Sequence, residues 1–476
     1  MPAVLGIDSS TQACKVEVRD ADTGQLLGRA RAEHPTTNPP RSEQDPDAWW
    51  AALRGAVQHV DVRGVGAVAV AGQQHGLVAL DQHARPLRPA KLWNDTESAP
   101  DADWLREQLG GPAAWAEACG SVPVASFTIT KLSWLHRTEP DTWKHLRHVL
   151  LPHDYLNTRL TGRCFTDRGD ASGTGYWSPS DGDYRSDLLA IVDPDIDWEQ
   201  IVPPVVASTA FADTLQGSAA EELGMPMSTP VGPGTGDNMA AALGIGLQPG
   251  DVAISIGTSG TVFSVAEHPT ADASGAVAGF ADATGRFLPL VCTLNAARVT
   301  DTIGRLLGVD PAQLDTLALD APPGAAPTLV PYFAGERTPN RPNATGSIVG
   351  LRGDVTREQL ALAAFQGVVC GLLEGLDALA EAGVDVDQGR LFLVGGGARS
   401  AAYRHVLADL AQRDVHVTDA QELVATGACV QAAACLNGED PIELTASWGL
   451  GRASLVAPND ATDHEAIRAA YAAARG

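Results

Sequence analysis

The chain has 476 residues, 44% of them hydrophobic and 19% charged, with a formal net charge of −25 at pH 7. That length suits two or three globular domains, and so acidic a surface excludes nucleic acid and anionic membrane as expected partners. Seven cysteines, an odd number with no C-x-x-C spacing, argue for free thiols in a reducing cytoplasm and against a zinc site.

The opening MPAVLGIDSS has no basic segment followed by an apolar stretch, so no secretory leader is expected. No apolar run approaches the roughly 18 residues that span a bilayer. The first element is VLGIDSSTQACKVEV (4–18), a short apolar strand, a small polar turn and a second, alternating strand. VAVAGQQHGLVALD (68–81) reads as strand, polar loop, strand, with His75 between Gly72 and Gly76. AKLWNDTES then gathers Trp93, Asn94 and Asp95. An aromatic face beside amide, imidazole and carboxylate groups suits a polyhydroxyl ligand, although an isolated turn histidine is ordinary. Helices are expected at 46–60, 101–109, 130–137 and 152–161, and loops over 170–194, which is rich in Asp, Ser and Gly.

GPGTGDNMAAALG (232–244) is a glycine-rich turn running into a small-residue helix that another element must approach closely. Asp237 stands at its mouth. Two readings apply there: a helix cap or a catalytic base. VAISIGTSGTVFSV (252–265) repeats the plan of the first hairpin about half a chain later, which points to an internal duplication. Both turns offer convergent backbone N–H groups suited to phosphate. The stretch 318–339 carries Pro and Gly turns and a short strand, and a long small-residue helix is expected at 357–382. LFLVGGGARSAAYRHVLADL (391–410) is a strand, a triple-glycine turn and a helix from near Ser400. Such a turn lets a ligand touch backbone at a helix start. Neither G-x-G-x-x-G nor G-x-x-x-x-G-K-[ST] occurs. The recurring order of three strands and a helix predicts two α/β domains with mixed sheets.

Taken together, GIDSSTQACK, AGQQHG, TKLSWL, GTGDN, GERTP, GSIVGLRGDVTREQLALAAFQG and VGGGARS resemble the FGGY family of carbohydrate kinases across nearly the whole chain. The resemblance implies two actin-like, ribonuclease-H-like domains flanking a deep cleft, 1–244 for sugar and 245–476 for nucleotide. It implies ATP-dependent phosphorylation of a ketose, D-xylulose being the expected acceptor, with Mg2+ as cofactor and a homodimer as the family's habit. Asp237 matches the catalytic base and Asp8 the carboxylate that holds the nucleotide's magnesium. Thr11 and Lys15 match phosphate-facing positions of the first loop, and Thr258 the second loop. Gly396, Gly397 and Ser400 match the turn beside the adenosine. Gln74, His75, Trp93 and Asn238 match the acceptor pocket. Ser10 stands where the family usually has Gly, and a positive φ there would penalise it. A kinase for another ketose or polyol, of ribulose, glycerol or gluconate type, is the alternative. An actin-like ATP-dependent switch needs no alcohol-activating base, so Asp237, His75 and Trp93 argue against it.

Overall fold

A computed structural model describes residues 2–208, 211–322 and 326–476; the Pro–Gly turn expected at 323–324 lies outside them. Two seven-stranded mixed sheets form the frame. The first contains β1 (Ala3–Ser9), β2 (Ala13–Asp20), β3 (Leu26–Glu33), β4 (Val65–Gly72), β5 (Asp213–Thr214), β6 (Pro230–Val231) and β7 (Thr235–Gly236). Its order is β5-β6-β4-β1-β2-β3, with β7 beside β4. The second contains β8 (Val252–Ile256), β9 (Gly260–Ser264), β10 (Ala278–Ala281), β11 (Phe287–Thr293), β12 (Leu391–Val394), β13 (Val415–Val417) and β14 (Ser454–Val456). Its order is β10-β11-β9-β8-β12-β13-β14.

The two sheets repeat one design. β1 pairs antiparallel with β2 and parallel with β4; β8 pairs antiparallel with β9 and parallel with β12. The central strand β1 is buried at every position, as its unbroken apolar run requires, whereas β3 alternates between exposed and half-buried residues. The repeat is the internal duplication that the matched hairpins point to, and it agrees with the two actin-like lobes that the family resemblance implies.

Helices begin where the local chemistry dictates. α1 (Pro46–Val57) has Asp45 as its cap and Pro at its start. α2 (Thr128–Thr138) and α3 (Pro152–Thr161) fall on the expected segments. The helix expected at 101–109 runs over Ala99–Gln108. α4 (Asp237–Ile245), α5 (Ala297–Leu307), α6 (Arg357–Glu381), α7 (Ala401–Ala411) and α8 (Leu423–Asn437) follow. Thr356 and Gln359 close a capping box on α6.

Two expectations are corrected. The 170–194 stretch is not all loop: it holds a short strand pair, Trp177–Ser178 with Asp183–Tyr184, and a helix, Ser186–Val192. Its few apolar residues account for this, since Trp177, Leu188 and Leu189 are fully buried. And α6 is long and apolar enough to cross a membrane by composition, with a mean hydropathy of 1.5 over 18 residues. Most of that window is buried, because α6 is the central helix of the second lobe's core, with Phe365, Val369 and Leu373 inside it.

α4 and α8 cross between the lobes. A Cβ at Gly427 would stand 1.8 Å from the Ala240 carbonyl oxygen, and one at Gly244 1.9 Å from that of Leu423. Only glycine permits this approach, which is why α4 is built from small residues. α8 lies on the first sheet, where a Cβ at Gly6 would meet the Ala425 carbonyl at 2.2 Å. α4 joins the core of the second sheet, Met239 and Leu243 clustering with Ala253, Phe263 and Phe392.

Candidate active site

A cavity of 610 Å³ opens between the lobes. Asp8, Lys15 and Arg31 line it from the first sheet, Asp237 and Asn238 from the start of α4, and Gly395, Gly396, Arg399 and Glu422 from the second lobe. The β1–β2 register sets Asp8 directly opposite Lys15. Asp8 is 1% exposed. Its Oδ2 lies 3.3 Å from Lys15 Nζ yet accepts no hydrogen bond. Burial pushes its carboxyl up, and Lys15 and the Ser10 hydroxyl, which donates to Oδ1, act against that. Lys15 also pairs with Glu422 at 2.8 Å. Ser10 is not among the residues with positive φ, so the serine carries no backbone penalty there.

Asp237 is the first residue of α4 and not its cap. Gly236 occupies the cap position and, having no side chain, makes no cap hydrogen bond. Asp237 is half-buried, and burial, aided by the nearby charges of Asp8 and Asp170, raises its carboxyl to about 8. Asn238 Nδ2 donates to Asp237 Oδ1 at 3.1 Å and to Gln74 Oε1 at 2.8 Å. Gly236 makes that bridge possible, since a Cβ there would strike the Gln74 side chain at 2.7 Å.

Gln74 and His75 sit on the loop that leaves β4, and both are buried. His75 adopts a φ of 65°, and its Nδ1 donates to the Gly173 carbonyl at 2.6 Å. Because that partner can only accept, Nδ1 carries the proton and Nε2 is left as an acceptor. Burial, then Lys131 and Arg337, lower the imidazole to about 3, so it is neutral. Gln74 Nε2 is buried without a partner. Trp93 Nε1 donates to Thr11 Oγ1 at 2.8 Å, and Thr11 donates to Gln73 at 3.3 Å. Thr11 is therefore turned to the Trp93 side of the cleft and does not line the 610 Å³ cavity; neither do Gln74, His75 and Trp93.

A second cavity, of 510 Å³, adjoins the first at Gly396 and Arg399. Val309, Leu314, Phe365 and Tyr403 give it apolar walls, with Thr300, Asp301 and Gly397 beside them. A Cβ at Gly395 or Gly397 would collide with Ile256, whereas Gly396 has open space above it. Ser400 lines this cavity, but its hydroxyl is occupied: it accepts from Tyr403 N as the cap of α7 and donates to Asp315. Thr258 is exposed at the tip of the β8–β9 turn, its carbonyl accepting from Ala296 at the start of α5. Sequence reasoning missed Arg31, Glu422 and the apolar walls of the second cavity. Those residues lie far apart in the chain and carry no spacing signal.

A buried polar cluster underlies the site and was also missed. His153 Nδ1 lies 2.7 Å from Asp170 Oδ2, and Nε2 lies 3.1 Å from Asp154 Oδ1 and 3.6 Å from Asp167 Oδ1. Burial would lower the imidazole, but the three carboxylates outweigh it and hold it at about 9.

The family model for the N-terminal domain of FGGY carbohydrate kinases matches residues 3–244, and that for the C-terminal domain matches 252–436. A xylulose kinase of Streptomyces rubiginosus is 46% identical over 449 residues, covering 94% of this chain and 91% of that protein. The crystal structure of xylulose kinase from Bifidobacterium adolescentis superposes with a TM-score of 0.88 at 39% identity, covering 100% and 99% of the two chains. A gluconate kinase from Lactobacillus acidophilus superposes with a TM-score of 0.91 at 22% identity, which speaks to the fold alone. With both domain models matched over most of its length, the chain belongs to the FGGY family of carbohydrate kinases.

Proposed function

We propose that this chain transfers the γ-phosphoryl group of ATP to the C5 hydroxyl of D-xylulose. The observation that carries the reading is Asp237: a carboxylate in the first turn of α4, outside the cap position, lining the same cavity as Asp8, Lys15 and the Gly395–Gly396 turn. Relatives 46% identical over 94% of the chain bear the name xylulose kinase, which favours this acceptor within the family.

An alcohol that attacks phosphorus must lose its proton as the new bond forms. Asp237 takes that proton, and Asn238 holds its oxygen in place. Lys15, Arg31 and Arg399 supply positive charge along the cavity for the triphosphate. The 510 Å³ cavity, walled by Phe365 and Tyr403, takes the adenosine. At the other end the Gln74 amide and the His75 Nε2 acceptor face the ketose, leaving its terminal hydroxyl to reach Asp237. Asp8 Oδ2, buried and without a hydrogen bond, fits a hydrated divalent cation. Asp8 would hold such a cation, which would supply charge neutralisation at the phosphate oxygens.

A coupled ADP-release assay over D-xylulose, L-ribulose, glycerol and gluconate tests the reading. D-xylulose is expected to lead, with glycerol poorer by at least ~10²-fold in kcat/KM because unmet polar groups at the far end cost about 1–3 kcal/mol each. A higher kcat/KM for any other acceptor overturns the named substrate.

A further inference from the structure

The chemistry above uses none of the four residues His153, Asp154, Asp167 and Asp170, all at most 1% exposed. Four ionisable side chains are costly to bury unless they are paired, and their placement links both halves of the acceptor site. Asp167 Oδ2 accepts from the Thr235 hydroxyl at 2.8 Å. Thr235 and Gly236 form β7, and the next residue is Asp237. On the other side, Asp167 caps the turn Arg168–Ala171, and the Gly173 amide donates to the Asp170 carbonyl at 3.0 Å. Gly173 in turn holds His75.

His153 is also a physical spacer. A Cβ at Gly72 would stand 2.9 Å from His153 Cβ, and a Cβ at Gly234 2.9 Å from His153 Cδ2. Gly72 ends the strand that leads to Gln74 and His75, and Gly234 precedes the strand that leads to Asp237. Gly72 is therefore packed against the Cβ and backbone of His153, and Gly234 against the edge of its imidazole and the Val70 carbonyl, so that one residue underlies both backbones.

We propose that His153, bracketed by Asp154, Asp167 and Asp170, is a positioning residue that sets the spacing between the ketose-holding pair Gln74–His75 and Asp237. The inference rests on the roles assigned to those three residues under the proposed function. The imidazole lines neither of the two cavities. It acts by fixing two loops from beneath, one through Thr235 and one through Gly173.

Four variants test it with D-xylulose and ATP, alongside melting temperatures. His153→Gln keeps a donor toward Asp170 but removes the cation. It is expected to lower kcat/KM for D-xylulose at least tenfold while KM for ATP stays within twofold. His153→Lys restores the cation and is expected to recover most of that loss. Thr235→Val cuts only the Asp167 arm; kcat is expected to fall at least threefold with KM for D-xylulose within twofold. Should His153→Gln fail to fold, Thr235→Val decides alone. Unchanged kinetics in the folded variants overturn the proposal, as do sugar and ATP constants that worsen together or a Lys variant no better than Gln. Asp237→Asn separates the layers. If it turns over normally, the base assignment fails; if it is inactive while His153→Gln and Thr235→Val are active, only the positioning role fails.

Discussion

Lys15 of the first lobe and Glu422 of the second form an ion pair of 2.8 Å across the mouth of the cleft. Both side chains are about a quarter exposed, so the pair is worth at most about 1 kcal/mol. It nevertheless competes with a triphosphate for the same ammonium group. Glu422→Gln is expected to lower KM for ATP about two- to fivefold and leave KM for D-xylulose unchanged. An unaltered or raised KM for ATP counts against Lys15 as a phosphate ligand.

Asp237→Asn is expected to reduce turnover by about 10²–10⁴-fold, the scale of lost general-base help. Its melting temperature is expected to change little, because Asp237 is not the cap residue and burial already disfavours its charge. A fall in melting temperature with turnover within threefold of the parent would restore the cap reading.

In the parent, kcat/KM for the sugar is expected to decline as pH drops below about 8, because the base acts only when ionised and its carboxyl is raised to about 8. A profile flat from pH 6 to 9 removes Asp237 from the proton transfer.

Asp8→Asn retains the shape of the side chain but not its charge. The Mg2+ concentration for half-maximal rate is expected to rise at least ~10-fold, the cost of losing a group that orients bound metal through water. An unchanged Mg2+ titration with full turnover would make Asp8 a structural residue paired with Lys15.

The cluster beneath the site gives stability a definite pH slope. His153 is raised to about 9, Asp154 to about 7 and Asp170 to about 6, burial leading the causes for the two acids. Each therefore binds its proton more tightly folded than unfolded. Such a contribution is present below the unfolded value and lost as pH rises through the folded one. Melting temperature is expected to be lower at pH 9 than at pH 6; calorimetry showing the reverse would refute the coupled, protonated cluster.

Much of the site was legible because its chemistry is local. Gly236, Asp237 and the small residues behind them announce a helix that backbone must approach, and Gly395–Gly397 announce a turn without side chains. The α1 and α6 starts fall at the expected residues 46 and 357, where the structure shows an aspartate cap before proline and a Thr356–Gln359 box. Hydroxyl roles were not legible. Thr11 and Ser400 have the residue type that binds phosphate, but the same oxygen can serve an indole or a helix cap, and here it does. Nor could spacing reveal the His153 cluster, whose members sit at one helix start and one turn that only the folded chain brings together.

The crossing of α4 and α8 has a consequence for how the chain could be divided. Cut after Gly244, the amino-terminal piece would lack α8, the layer covering Val4, Ala67 and Ala69 on its own sheet. The carboxy-terminal piece would lack Met239 and Leu243 from its core. Each fragment would therefore expose a ready-made apolar seat for the other's helix. Produced separately they are expected to aggregate, and produced together they are expected to complement each other, so that recovery of phosphotransfer would report association of the two halves.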